Sequence, residues 1–125
     1  MKLYEFEGHR ILARAGIESP FFVVASDISE VKQGRKRLKF PIVAKVQVLS
    51  GRRGKAGAVK IIKTEKQLLD FARTFLNSDF NGEKVKYLVL ARKVDIEKEH
   101  YISITYDTVL RMPFLLHCEE GGVNI

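Results

Sequence analysis

Residues 41–48, PIVAKVQV, form a run dense in β-branched side chains with a lysine in its middle, and VKII at residues 59–62 resumes the same pattern. Between the two lies SGRRGKAG, residues 50–57, rich in glycine and cations. Runs of this composition read as strands, and the glycine-bearing stretch as the loop that joins them. This pair constrains the fold more than any other feature. A sheet that buries Ile42, Val43 and Val46 must also accommodate Lys45, and an ammonium without a partner among apolar neighbours is costly. Lys45 therefore reaches solvent, pairs with a structural carboxylate or meets an anionic ligand.

The remaining elements follow from periodicity and end signals. Leu3, Phe6, Ile11, Leu12 and Ala15 fall at near-helical spacing ahead of Gly16, a residue suited to a left-handed helix exit. After Pro20, residues 21–25 (FFVVA) read as a strand. Asp27 with Glu30 opens a second helix that runs to about Leu38, and Thr64 with Gln67 forms the clearest capping box, backed by Leu68, Leu69, Phe71, Ala72, Phe75 and Leu76. Asn81-Gly82 marks a turn inside the polar stretch 77–86. Residues 87–91 (YLVLA) read as a buried strand. Residues 101–106 and 112–118 read as an antiparallel hairpin, with Pro113 placing its strand near an edge.

At 125 residues, 46% of them hydrophobic, the chain matches one domain with a real core. Its formal charge of +7 suits an anionic partner such as a nucleotide, polyphosphate, coenzyme A or nucleic acid. The single cysteine, Cys118, cannot form an internal disulfide and reads as a small buried hydrophobe. No apolar run approaches a membrane span, and no signal-like core follows Met1, so the expected location is cytoplasmic.

The chemistry concentrates at Lys45 and the loop 51–57. Glycine lets backbone amides approach a phosphate, and Arg and Lys neutralise its charge. The loop is not a Walker A motif, because Lys55 is followed by Ala56 and the loop leads into a strand. His9, His100 and His117 are widely separated and read as surface or structural histidines without metal-ligand spacing. Glu119 and Glu120 are adjacent and point to opposite faces of a strand, so no catalytic residue is assigned there.

The run PIVAKVQV, then GRRGKAG at residues 51–57, then Val59-Lys60, resembles the ATP-grasp opening of succinyl-CoA synthetase beta subunits. Tyr4-Glu5, the Ala15-Gly16-Ile17 exit before Pro20, Asp95-Ile96 with Glu99, and EGGV at residues 120–123 carry the likeness from end to end. It implies an α+β fold, the amino-terminal portion of an ATP-grasp domain built of small mixed sheets with flanking helices. Residues 20–98 would form the nucleotide-gripping lobe, with residues 1–19 and 99–125 contributing to an incomplete second lobe. Carried over residue by residue, Lys45, Arg52, Arg53 and Gly54 would hold the nucleotide phosphates. Ala91 and Val94 would face the base, and Glu99 the ribose.

Arg52 stands where that family usually has glycine and brings the wording RRGK close to ATP-citrate lyase, while Ala91 stands where glutamate is frequent. The implied reaction joins a carboxylic acid to coenzyme A with ATP or GTP and magnesium, through an acyl phosphate and a phosphohistidine on an alpha subunit or downstream domain. Succinate, as in the citric acid cycle, is the first acid expected, with citrate or malate second. The metal ligands are expected past Ile125, so the chain alone would be inactive. A rival reading from another class is a basic RNA-binding module using Arg35, Lys36, Arg37, Lys39, Arg52, Arg53 and Lys55 with aromatic stacking. A purely structural interaction domain is a third.

Overall fold

The computed structural model describes residues 2–50, 53, 54 and 56–121. The chain divides between Val94 and Asp95 into two compact units. The first holds helix α1 (Glu5–Arg14), strand β1 (Phe22–Ala25), helix α2 (Ile28–Arg35), strands β2 (Ile42–Gln47) and β3 (Val59–Ile62), helix α3 (Glu65–Phe75), the short strands β4 (Asp79–Phe80) and β5 (Glu83–Lys84), and β6 (Tyr87–Arg92). The second holds β7 (Tyr101–Asp107) and β8 (Met112–Cys118).

Local chemistry explains the helix ends. Gly16, with φ of +78°, turns the chain out of α1 in the left-handed region that glycine enters without strain. Asp27 accepts a hydrogen bond from the Glu30 N–H, and Thr64 from the Gln67 N–H. The reciprocal halves of both boxes shift by one residue: Glu30 accepts from the Ser26 N–H and Gln67 from the Lys63 N–H. Asn81 and Gly82, both at positive φ, close the two-residue turn between β4 and β5, a small hairpin where only a turn was expected.

The four-stranded sheet of the first unit has the order β1-β6-β2-β3. The small sheets pair antiparallel throughout the described residues, where mixed sheets were expected. The reason is β6, which returns between β1 and β2 and runs against both. Alternation then sorts the side chains. Val23, Ala25, Ile42, Ala44, Val46, Ile62, Leu88 and Leu90 join Val31 of α2 and Leu68, Phe71 and Ala72 of α3 in the main core. The opposite face carries Phe22, Val24, Val89 and Ala91, and α1 covers part of it by burying Phe6 there. Tyr4, Phe6 and Tyr87 pack with ring centroids 5.6 Å apart, which pins the start of α1 to the sheet.

The second unit is a two-stranded ribbon that pairs Tyr101 with Cys118 through Asp107 with Met112. Most of its large apolar side chains are exposed, Ile104 at 76% and Val109 at 87%. Cys118 is partly exposed there, because a lone ribbon offers no second layer to bury the thiol.

Helix α2 approaches β1 closely at Gly34, where a Cβ would stand 2.7 Å from Val23 Cγ2. Alanine gains about 1 kcal/mol of helix propensity over glycine. Overpacking against a stiff, buried valine costs about 1–3 kcal/mol. Gly34→Ala is therefore expected to lower the midpoint of urea unfolding, and an unchanged or raised midpoint would show that α2 can shift outward freely.

Candidate functional site

Lys45 lies on the α1 face of β2, in register between Val89 of β6 and Val59 of β3. Its neighbours in β2, Ala44 and Val46, point into the main core. The anionic partner demanded by the sequence comes from the first turn of α1. Lys45 Nζ donates to Glu5 Oε1 at 2.6 Å. Arg53 Nη1 stands 2.8 Å from Glu5 Oε2, and the three side chains are only 27%, 25% and 19% exposed for Lys45, Arg53 and Glu5.

Arg53 is aimed by the loop backbone. Its guanidinium donates to the Val46 carbonyl at 3.0 Å, its own carbonyl accepts from the Ala58 N–H, and the Ala58 carbonyl accepts from the Val46 N–H. On the far side of the exit from β2, the Glu83 carboxylate accepts from the Leu49 and Ser50 N–H groups at 2.9–3.2 Å. The contact between Arg53 and Glu5 is an ion pair outside good hydrogen-bond geometry, and among the described residues the buried Glu5 Oε2 has no aligned donor. His9, one turn along α1, places Nε2 3.4 Å from Glu5 Oε1, while its buried Nδ1 has no hydrogen-bond partner.

Beside this cluster is a cavity of about 90 Å³ lined by Glu5, His9, Pro20, Phe22, Lys45, Val89 and Ala91. Four of these residues are apolar, and the other three carry polar side chains. Sites that enclose a drug-sized ligand run to about 300–1,000 Å³, so this cavity is smaller than a site that encloses such a molecule.

The structure thus brings Lys45, Arg53 and Ala91 together. Gly54 belongs to the same loop, and its carbonyl accepts from the Gly57 N–H. Arg52 lies outside the described residues. Ala91 is paired in register with both Phe22 and Val43, so its backbone is held in the ladder and a methyl group faces the cavity. Val94 follows the end of β6 and is exposed, and Glu99 is an exposed residue of the second unit.

Two participants were missed. Glu5 was noted only within the family likeness, and His9 was read as a surface or structural side chain. A lysine on a covered sheet face requires a carboxylate nearby, and Glu5 and Glu7 in the first turn of α1 were available. Nothing local pairs residues 5 and 45. His100 and His117, read as separate surface or structural side chains, stand with Nδ1 and Nε2 3.3 Å apart, because His117 pairs with Ile102 in the β7–β8 register and His100, just before β7, reaches it diagonally. Among the described residues no three His, Cys, Asp or Glu side chains are grouped to hold a metal ion, and no helix is long and apolar enough to cross a membrane. Of the basic residues weighed for RNA, Arg35 lies 4.4 Å over the Phe40 ring and Arg37 4.9 Å over Phe21, so one face of each ring is already covered.

Comparison with known proteins places these features in a family. The ATP-grasp domain family matches residues 2–125. Over 125 residues the chain is 38% identical to the beta subunit of an ADP-forming succinate–CoA ligase of Rubrobacter xylanophilus, all of this chain aligning with 33% of that protein. It is also 38% identical, with the same coverage of each chain, to the SauC subunit of an ADP-forming sulfoacetate-CoA ligase of Bilophila wadsworthia. The chain spans about a third of the length of the curated relatives it matches.

Two solved structures share the fold. ACD1 of Ca. Korarchaeum cryptofilum, in complex with coenzyme A, superposes with a TM-score of 0.77 at 17% identity, covering 96% of this chain and 54% of that one. ATP citrate lyase from Methanothrix soehngenii, in complex with citrate and coenzyme A, superposes with a TM-score of 0.73 at 19% identity, covering 98% of this chain and 33% of that one.

The charge cluster makes stability depend on acid. Burial pushes the Glu5 carboxyl up, but the hydrogen bond and charge of Lys45, with the charge and close polar contact of Arg53, outweigh it and bring the pKa from 4.5 down to about 2. A carboxyl lowered on folding stabilises the fold above its unfolded pKa, and that contribution is lost as pH falls from about 4.5 toward about 2. That lowering corresponds to roughly 3 kcal/mol. Urea unfolding between pH 6 and pH 2.5 should show a steeper acid loss in the parent protein than in Glu5→Gln. Parallel curves would mean that Glu5 is not held by these cations in solution.

Proposed function

Because the chain belongs to the ATP-grasp domain family and has the α+β architecture of that fold's amino-terminal portion, we propose that it is the nucleotide-binding part of an NDP-forming carboxylate–CoA ligase. The observation that carries this reading is the convergence of Lys45 Nζ and Arg53 Nη1, at 2.6 and 2.8 Å, on a single carboxylate. Two cations from separate backbone segments, held around one anionic position beside an apolar lining, suit a polyphosphate joined to a flat base. Lys45 and Arg53 would neutralise the phosphates, with Arg52 and Gly54 of the same loop beside them. Ala91 and Val94 would border the base, and Glu99 would accept from ribose hydroxyls.

In the whole protein, acid, coenzyme A and ATP or GTP would give acyl-CoA, nucleoside diphosphate and phosphate. The curated relatives are ADP-forming CoA ligases, which supports this reaction class. Succinate is the first acid to test, then citrate, malate and sulfoacetate. Residues 20–98 would serve as one lobe over the nucleotide, with residues 1–19 and 99–125 contributing to the other. The phosphohistidine would come from an alpha subunit or another domain. Magnesium bridges phosphate oxygens in such transfers, and the described residues do not fit it, since they bring no ligand cluster together. What this chain supplies is positioning and charge, which dominate catalysis of phosphoryl transfer.

The test uses the full-length protein, titrated with ATP, GTP, ADP and AMP at fixed salt and assayed for acyl-CoA formation with the four acids. Losing one charge-assisted contact of about 1.5–3 kcal/mol should weaken nucleotide binding roughly 10- to 100-fold in Lys45→Ala or Arg53→Ala, while unfolding stays cooperative. Unchanged binding in both variants rejects the reading. Binding that ignores phosphate number and falls steeply with salt would favour the RNA-binding module instead.

A further inference from the structure

We infer that Glu5 is the resident counter-anion of the phosphate site: its carboxylate occupies, between Lys45 and Arg53, the place a nucleoside polyphosphate takes, so that binding exchanges one anion for the other. This rests on the nucleotide reading and adds to it a competitor built into the chain. Three observations carry it.

The first is geometric. Glu5 Oε1 takes the Lys45 Nζ contact and Oε2 the Arg53 contact, so both cations proposed for the phosphates are engaged by the same carboxylate. The second is that the hold is imperfect. Oε2 is buried yet lacks an aligned donor, a state that costs free energy relative to a full set of hydrogen bonds. A phosphate chain brings several oxygens and more than one charge to the same two donors, and it can satisfy them better.

The third is that the helix can stay while the carboxylate leaves. Phe6 and Tyr4 fix α1 on the sheet through the cluster with Tyr87, whereas the Glu5 side chain has rotatable bonds between that anchor and its charge. His9 lines the same cavity 3.4 Å from Oε1 and offers a second partner on the helix itself. The exchange also discriminates. A ligand without phosphates gains nothing by displacing Glu5, whereas each added phosphate competes better for the two cations, so the resident carboxylate biases the site toward triphosphates.

The experiment titrates ATP and adenosine into the full-length protein and its Glu5→Gln and Lys45→Ala variants at pH 7.5 and fixed salt. Removing the competing charge should tighten ATP binding about tenfold in Glu5→Gln, the size of one partly screened ion contact, and leave adenosine binding unchanged. Equal or weaker ATP binding in Glu5→Gln overturns the inference, and a loss in Lys45→Ala in the same experiment shows that the nucleotide reading survives it. Absence of ATP binding in the parent protein overturns both. If Glu5→Gln does not fold, Glu5→Asp, whose shorter arm cannot span both cations, should tighten ATP binding in the same direction. Failure of that variant to do so is equally decisive against the exchange.

Discussion

A cation on a covered sheet face has to be answered by an anion, and around Lys45 that requirement organises the first unit. Strand β2 is central, so its even-numbered residues face helices α2 and α3 and its odd-numbered ones face α1. With Lys45 on the α1 side, the helix that covers that face must bring a carboxylate, and it does so in its first turn, where an acidic residue also complements the helix dipole. Arg53 then reaches the same carboxylate from the loop that leaves β2. Helix, strand and loop are joined by one charge cluster, and the aromatic packing of Tyr4, Phe6 and Tyr87 keeps its members in register.

The same geometry explains why the cavity has its particular character. Pro20, Phe22, Val89 and Ala91 give it an apolar lining. Glu5, His9 and Lys45 supply its polar lining.

Much of this was legible in the sequence because the signals were local. The caps at Asp27 and Thr64, the glycine exit at Gly16 and the β-branched runs at 42–47 and 59–62 are decided within a few residues of themselves, and those elements lie where expected. Lys45 stood out because its burial conflicts with its charge. Glu5 did not, since an acidic residue in a first helical turn is ordinary and its partner lies forty residues away in sequence. The return of β6 between β1 and β2, and with it the antiparallel pairing, is likewise a tertiary choice that propensity does not encode. His100 and His117 meet diagonally across the hairpin, a contact that depends on the β7–β8 register and not on local sequence.

The ribbon of β7 and β8 has its own implication for anyone handling this polypeptide. Two strands cannot make a layer, and isolated hairpins are marginal in water. Ile102, Ile104, Leu110 and Leu115 give this one a greasy surface, and among the described residues each strand pairs only with the other. In a concentrated preparation of these residues alone, copies would find one another by strand addition and apolar contact. Shelf life would then be governed by protein concentration well before the helix-backed sheet of the first unit began to melt.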